Sequence, residues 1–224
     1  MGNELLMMFV TGLIAGVVSS LVAARILWLL MYKRDKTTVL FGEEIVLTEN
    51  MDEPGGRNLY KIIVENTGTR NLKDVTFIAR LSIKFPERET KRFTYIEIDC
   101  DNKLPVIYGS DEKEKRPDVR TGHILTIYIG KTAQREFKKD YYSDNIKEKA
   151  VGGSLHLEDI FKEYNSINKG KWTLTLYAFG YDAITGAKKM YESEKEYDTG
   201  NILPISSEEE KILLQHLRNW KRWK

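Results

Sequence analysis

The chain has 224 residues, with 35 Lys and Arg against 33 Asp and Glu and a formal net charge of +2. This near balance excludes a chain-wide basic field for nucleic acid, and the length suits one ordinary domain with a small appendage rather than two catalytic domains. A single cysteine, Cys100, excludes an intrachain disulfide framework and a cysteine-rich zinc site.

An apolar segment at residues 5–32 predicts a membrane-spanning helix. At 1.5 Å per residue it would be about 42 Å long, which exceeds the roughly 30 Å hydrocarbon core of a bilayer. In the simplest placement the span ends near Ala24, with Arg25 reaching the interface and Trp28 and Tyr32 in the aromatic belt. A tilted helix that reaches Tyr32 is the alternative.

Cations follow this segment and predict its orientation. Lys33, Arg34 and Lys36 flank its end, whereas residues 1–4 carry Glu4 and no cationic side chain. The distribution favours a retained single-pass anchor over the competing interpretation, a cleaved signal peptide. By the positive-inside rule we expect the N-terminus outside and the larger C-terminal part in the cytoplasm, at the cell inner membrane.

One face of the predicted helix carries small residues at intervals of four. The stripe consists of Gly12, Gly16, Ser20 and Ala24. Small-xxx-small stripes let two helix backbones approach closely in lipid, so the stripe predicts self-association. The alternative is that small residues are simply common in transmembrane helices.

Residues 37–200 predict an all-β domain. Val75, Phe77, Ala79, Leu81, Ile83 and Phe85 alternate with mostly polar residues, and the pattern repeats at Trp172, Leu174, Leu176 and Ala178. Further strands are expected at 38–48, 58–66, 93–99, 122–130 and 187–197, short helices within 132–165 and a charged loop at 101–120. We expect an immunoglobulin-like antiparallel β-sandwich with short helical insertions. A small barrel is the alternative, because alternation does not determine strand pairing.

Residues 201–224 predict a separate, amphipathic C-terminal helix. Ser206 to Glu209 resembles a capping box, and Leu213, Leu217 and Trp220 share one helical face. The last eight residues hold four cations, two tryptophans and no acid. This end suits an anionic leaflet, an acidic groove of a partner, or simple packing on the domain. The expected membrane-interface residues are Arg25, Trp28, Lys33, Arg34, Lys36, Trp220, Lys221, Arg222 and Trp223.

Catalytic and metal-binding motifs are missing from the sequence. There is no G-x-S-x-G elbow, H-E-x-x-H, Walker A or G-x-G-x-x-G pattern. His123 and His156 are more typical of surface or hydrogen-bonded residues than of ligands, and acid pairs such as Glu158 and Asp159 are typical of solvated surfaces. We therefore predict a protein that is not an enzyme, without cofactor or metal. Tyr177, Phe179 and Tyr181 indicate a ligand or protein surface, or a second buried sheet face.

The order of elements resembles a known arrangement. The elements that carry the likeness are the small-residue helix through Ala24-Arg25-Ile26, Thr38 to Gly42, Leu59–Glu65, Asp74–Phe85, Thr94–Asp99, Ile124–Ile129, Leu155–Phe161, Trp172–Ala178 and the Asp182 to Gly186 hairpin. Over roughly residues 12–197 they resemble the inner helix and immunoglobulin-like cytoplasmic domain of inward-rectifier potassium channels. The likeness implies a membrane-linked β-sandwich assembled around a symmetry axis, with Lys33, Arg34 and Lys36 as positions for phosphoinositide-like headgroups. Because the sequence has no pore helix and no T-x-G-Y/F-G filter, it does not imply potassium conduction.

These patterns together predict a membrane-anchored, non-enzymatic binding or assembly module. The expected partners are the lipid bilayer, a second copy of the chain, and a protein or small-molecule ligand of the β-domain, with no nucleic acid. The alternative is a ligand-sensing effector of a bacterial signalling or defence system, whose helices cluster and perturb the membrane. A hydrolase or transferase with dispersed residues is the third interpretation.

Overall fold

The computed structural model describes residues 2–34, 36–49, 58–86, 93–101, 103–116, 118–165 and 170–205, together with Glu209 and Ile212. The chain divides into two compact units, Met1–Lys36 and Thr37–Lys224.

The first unit is a single helix, α1, at Gly2–Arg34. Its stretch Met7–Leu29 is 23 residues long, apolar enough to cross a membrane, and exposed throughout. The Thr11 hydroxyl donates to the Met7 carbonyl at 2.6 Å, and the Ser20 hydroxyl donates to the Gly16 carbonyl at 2.8 Å. The helix therefore satisfies these polar side chains within itself, as a hydrocarbon environment requires.

In the described part of the chain, the second unit is built on one large sheet of ten strands. They are β1 Val39–Phe41, β2 Ile45–Glu49, β3 Asn58–Asn66, β4 Leu72–Lys84, β5 Phe93–Asp101, β6 Leu104–Ile107, β7 Gly122–Tyr128, β8 Lys171–Asp182, β9 Lys188–Glu192 and β10 Ile202–Pro204. The strand order is β10-β2-β3-β7-β5-β4-β8-β9, with β1 paired to β3 and β6 paired to β4. The strands predicted at 58–66 and 75–85 correspond to β3 and β4.

The sheet curls because β5 belongs to both of its halves. From Phe93 to Asp99 this strand pairs with β4, and from Asp99 to Asp101 it pairs with β7. A strand shared in this way turns the sheet so that the inner sides of its two halves enclose one core.

The expectation of a purely antiparallel fold is wrong, because the sheet is mixed. β10 runs parallel to β2, with Ile202 opposite Ile45 and Pro204 opposite Leu47. After β9 the chain passes through a 3₁₀ turn at Thr199–Asn201 before it reaches this edge. That long return lets it arrive beside β2 in the same direction, which a tight hairpin would not allow.

Alternation along the strands sets the core. Val75, Ala79, Leu81 and Ile83 of β4 are fully buried, and so is Leu174 of β8. Short helices cover part of the curled sheet: α3 Lys131–Glu136, α4 Asp144–Gly152 and α5 Leu157–Glu163. The expectation of helical segments in this region is confirmed.

Aromatic packing joins α5 to the sheet. Phe161 stacks on Trp172 with ring centroids 3.7 Å apart, and it meets Tyr60 of β3 edge-on at 5.1 Å. Trp172 is 1% exposed. Burial of rings this large is a main source of stability for a domain of this size.

Three segments differ from the sequence predictions. The segment expected as a charged loop contains β6 and a short helix, α2, at Ser110–Lys115. The strand expected at 38–48 is divided at Gly42, whose N–H donates to the Ile63 carbonyl. The helix expected from residue 201 cannot begin there, because Ile202–Pro204 form β10; Glu209 and Ile212 are helical, and the remainder lies outside the described residues.

Candidate interaction face

An outward-facing set of side chains crosses β5, β4, β8 and β9. We call it the aromatic face, and it consists of Ile78, Arg80, Tyr95, Tyr177, Phe179 and Met190. Strand register brings its members together: Ile78 lies opposite Tyr177, and Phe179 lies opposite Met190. Alternation explains the arrangement, since these residues occupy the positions between those that enter the core.

The side chains of the aromatic face are partly exposed to solvent, whereas those on the other face of the same strands are buried in the core. Tyr95 is 59% exposed and Met190 is 60% exposed, whereas Tyr177 and Phe179 are half-buried. Of the two interpretations of the Tyr177, Phe179 and Tyr181 pattern, the buried second face does not hold for these residues. Large apolar side chains grouped in the open are typical of an interaction surface rather than of scattered exposure.

Arg80 organises the centre of this face. Its guanidinium lies 5.2 Å from the ring centroid of Tyr95 and 4.9 Å from that of Tyr177, within the range of cation–π attraction. It also lies 3.9 Å from the carboxylate of Glu192, to which the Tyr177 hydroxyl donates at 3.0 Å. Burial raises the pKa of Tyr177, the hydrogen bond to Glu192 raises it further, and the charge of Arg80 opposes both. Tyr177 therefore stays protonated and neutral at physiological pH.

A buried polar network lies at the end of the domain where the chain enters it, at Thr37 and Thr38. The Thr38 N–H donates to the Asn66 side-chain oxygen at 3.3 Å, and the Asn66 amide donates to the Arg70 carbonyl at 2.7 Å. The Arg70 guanidinium then lies 3.7 Å from the carboxylate of Asp182. Both charged side chains are about 95% buried. This network links the chain entry to the turn that follows β8.

Two tyrosines join the ends of the curled sheet. The Tyr191 hydroxyl of β9 donates to the Thr37 carbonyl at 2.8 Å and also contacts the Thr37 hydroxyl. The Tyr197 hydroxyl donates to the Gly42 carbonyl at 2.7 Å. Side chains from the β9 end of the sheet thus hold the segment that precedes β2.

The small-residue stripe lies on an exposed helix face. Gly12, Gly16, Ser20 and Ala24 are all exposed in α1, and a Cβ added at Gly12 or Gly16 would meet no atom within 4 Å. Because the Ser20 hydroxyl already bonds within the helix, the stripe offers close backbone approach rather than a free donor.

The predicted interface residues are only partly described. Arg25 and Trp28 are exposed on α1, and Lys36 is exposed where the helix has ended. Lys33 and Arg34 belong to α1 by their backbone. Trp220, Lys221, Arg222 and Trp223 lie outside the described residues.

The acid pair predicted at Glu158 and Asp159 has local structural roles. Glu158 pairs with Lys162 at 2.6 Å, and Asp159 pairs with Lys149 at 2.5 Å. Asp159 also accepts from the His156 N–H at 3.0 Å, at the start of α5. Among the residues that the structure describes, no three His, Cys, Asp or Glu side chains form a group that could hold a metal ion.

Burial keeps two other titratable groups uncharged at neutral pH. It raises the pKa of the Cys100 thiol to about 12, with a further contribution from Asp99. It lowers the pKa of His123, with the charge of Arg120 acting in the same direction. Cys100 is therefore a thiol and His123 a neutral imidazole at pH 7.

Sequence reasoning missed part of the aromatic face. Alternation along β4 already placed Arg80 outward, but nothing local connected it with Tyr95 or Met190. Ser82 opposite Tyr95 and Phe179 opposite Met190 are pairings between separate strands. The Arg70–Asp182 pair was missed for the same reason.

Comparison with known proteins gives no match, either among protein-family models or among curated proteins. The fold itself defines a chain with an N-terminal apolar helix, long enough to span a membrane, followed by a mostly β domain on a large curled mixed sheet.

Proposed function

We propose that this chain is a membrane-anchored, non-enzymatic assembly module whose aromatic face binds the β-domain of a second copy. The single observation that carries the proposal is the grouping of exposed Tyr95 and Met190 with half-buried Tyr177 and Phe179 around Arg80. Exposed apolar side chains grouped in this way are typical of a surface that contacts another molecule.

The chemistry of the face favours a second copy over an unrelated partner. A two-fold interface brings the same patch against itself, so the patch must contain both members of every complementary pair. Arg80 lies opposite Glu97 of β5 in register and beside Glu192 of β9, with both glutamates exposed. A rotated copy can therefore place each Arg80 near an acid while the aromatic side chains pack together.

The aromatic face is small, so stable assembly would require the membrane anchor as well. Four strands at about 4.8 Å spacing and a few residues at about 3.4 Å rise project an area on the order of 300 Å². A stable protein interface buries about 800 Å² per partner, so the face alone would pair weakly. Tethering in a bilayer raises the effective concentration, and helix pairing through the Gly12 to Ala24 stripe would raise it further.

The finer architecture and topology belong to the same proposal. We propose that the two halves joined by β5 are the layers of an immunoglobulin-like sandwich. We place α1 in the cell inner membrane, with the N-terminus outside and the β-domain in the cytoplasm, because basic residues follow the apolar stretch. The resemblance to inward-rectifier cytoplasmic domains agrees with symmetric assembly. The basic interface residues would then contact anionic headgroups.

The test is the oligomeric mass of the full-length chain in mild detergent and in nanodiscs. We compare the wild type with Gly16→Leu, which alters the stripe, and with Phe179→Ser/Met190→Ser, which alters the aromatic face. Val151→Ser on α4 is the matched control, since Val151 is also an exposed apolar residue. We expect both test variants to lower the oligomer fraction and the control to leave it unchanged.

Each part of the proposal can fail separately. Unchanged mass of Phe179→Ser/Met190→Ser would exclude the aromatic face as the assembly surface. Unchanged mass of Gly16→Leu would exclude the stripe. A monomeric wild type in nanodiscs would exclude the assembly function altogether.

A further inference from the structure

The turn between β8 and β9 presents an apolar tip. Residues 183–187, which we call the turn tip, read Ala-Ile-Thr-Gly-Ala, and Ile184 is 65% exposed. Gly186 has φ +66°, the left-handed conformation that glycine adopts without steric cost. An isoleucine held outward at the end of a defined turn has no role in the core.

Every backbone N–H of the turn tip has a partner within the protein. Ala183 N–H donates to the Asn71 carbonyl at 3.0 Å and Gly186 N–H to the Asp182 carbonyl at 2.9 Å. The N–H groups of Ile184 and Thr185 donate to the Asp182 carboxylate at 3.0 and 2.8 Å. Ala187 N–H donates to the Thr185 hydroxyl at 3.3 Å. An unpaired N–H group is costly to move out of water, and the turn tip exposes none.

The charged residues next to the turn tip in the sequence suit a membrane surface. Asp182 is the only acid between residues 181 and 189, and it is 3% exposed beside the Arg70 guanidinium. Two cations, Lys188 and Lys189, follow the tip, and Tyr181 precedes it with 45% of its surface exposed. An apolar tip flanked by an aromatic ring and cations is the composition of segments that enter the headgroup region of anionic membranes.

The turn tip belongs to the end of the β-domain at which the chain enters it. Thr37, the first residue of the β-domain, accepts a hydrogen bond from Tyr191 on β9, the strand that leaves the turn tip. The apolar stretch ends at Leu29, eight residues before Thr37. Eight residues span at most about 28 Å when fully extended, and less in the part that is helical.

We propose that the turn tip is a second membrane contact, with Ile184 inserted into the headgroup region of an anionic bilayer and Lys188 and Lys189 at the lipid phosphates. The inference rests on the proposed membrane anchorage of α1, but it does not require self-association through the aromatic face. It would give the domain a second attachment to the bilayer besides α1.

The test places an environment-sensitive fluorophore at the turn tip of the full-length chain. Ile184→Cys is labelled in a Cys100→Ala background, and the protein is reconstituted into vesicles of anionic phosphatidylglycerol with phosphatidylcholine, or of phosphatidylcholine alone. Val151→Cys is the control: α4 follows Tyr142, which packs on Phe85 beyond the far end of β4. The twelve residue steps of β4 from Leu72 to Lys84 separate its two ends by about 40 Å, and the nine residues of α4 span only about 14 Å, so Val151 lies well away from the turn tip.

We expect the Ile184 label to shift to shorter wavelength in anionic vesicles and to lose about half or more of its emission to shallow spin-labelled lipids. The Val151 label should be unaffected. Lys188→Glu/Lys189→Glu should lower the ratio of inserted to free turn tip by about tenfold or more at low salt.

Three results would overturn the inference. The first is an Ile184 label whose emission neither shifts in wavelength nor is quenched by spin-labelled lipids. The second is equal quenching at Val151, which means nonspecific adsorption of the domain. The third is a wavelength shift without lipid quenching, which means that the turn tip binds protein. Flotation of the chain with vesicles checks anchorage independently, so failure of the anchor and failure of the turn tip are distinguishable.

Discussion

The two faces of the β4–β8 strand pair are formed by alternating residues of the same two strands, yet their side chains differ in how deeply they are buried. On the inner face Leu81 and Leu174 are fully buried against the core. On the outer face Arg80, Tyr177 and Phe179 are only half-buried, although two of the three are aromatic. Burial explains the composition of the inner face completely and that of the outer face only in part. The exposed aromatic side chains of the outer face are the basis of the proposed contact with a second copy.

The largest expected effect lies on the inner face, at Trp172. Trp172→Ala removes the ring stacked on Phe161 and leaves a cavity, so we expect a loss of about 3–5 kcal/mol in the free energy of unfolding. Urea unfolding of the detergent-solubilised full-length chain, followed by far-UV circular dichroism, measures it. A loss below about 1 kcal/mol would mean that the inner face is not the core of the domain.

The next effect concerns the buried pair at the chain entry. Asp182→Ala leaves the Arg70 guanidinium buried without its carboxylate, and we expect a loss of about 3 kcal/mol. Arg70→Met/Asp182→Leu is the control, and it should recover part of the loss because no unpaired charge remains. If Asp182→Ala cost under about 1 kcal/mol, the pair would not hold this end of the domain together.

The same pair predicts the direction of a pH dependence. Burial alone would raise the pKa of Asp182, but hydrogen bonds from Thr185 and Ile184 and the charge of Arg70 lower it overall. A lowered folded-state pKa contributes stability that is complete above the unfolded value of about 3.9 and is lost as the pH falls through the folded value. The stability difference between wild type and Asp182→Ala should therefore shrink below about pH 4. A difference that is constant down to pH 2 would contradict this.

A matched pair of substitutions on β8 sharpens the contrast between the faces. Leu176→Ala on the inner face should cost about 2–5 kcal/mol, whereas Phe179→Ala on the outer face should cost about 1 kcal/mol or less. Urea unfolding of both variants under one set of conditions measures the ratio. Equal costs would show that the aromatic face is structural, which would remove the main support for assembly.

The smallest expected effect is the exposed ion pair of Arg80 and Glu192. A double-mutant cycle with Arg80→Met and Glu192→Gln should give a coupling of about 0.5 kcal/mol or less, because solvent screens charges 3.9 Å apart on a surface. The same cycle in 1 M salt should give less still. A coupling above about 2 kcal/mol would mean that the outer face stabilises the monomer.

Local patterns were sufficient for much of the fold. A run of mostly apolar residues in which Arg25 is the one charge predicted the apolar helix, and alternation through Val75 to Ile83 predicted which side chains enter the core. Both depend on spacing within one segment. The membrane-crossing length of Met7–Leu29 likewise follows from composition alone.

Only the tertiary structure decided which strands pair and which side chains that pairing brings together. The sequence by itself determined that Tyr177 and Phe179 share one side of a strand, but both a covered and an open side suit that pattern. The structure leaves them only half-buried and brings Met190 and Arg80 beside them. Parallel pairing of β10 and the Arg70–Asp182 contact likewise depend on segments far apart in the chain. No local spacing encodes such contacts, because they form only when the sheet curls and closes its core.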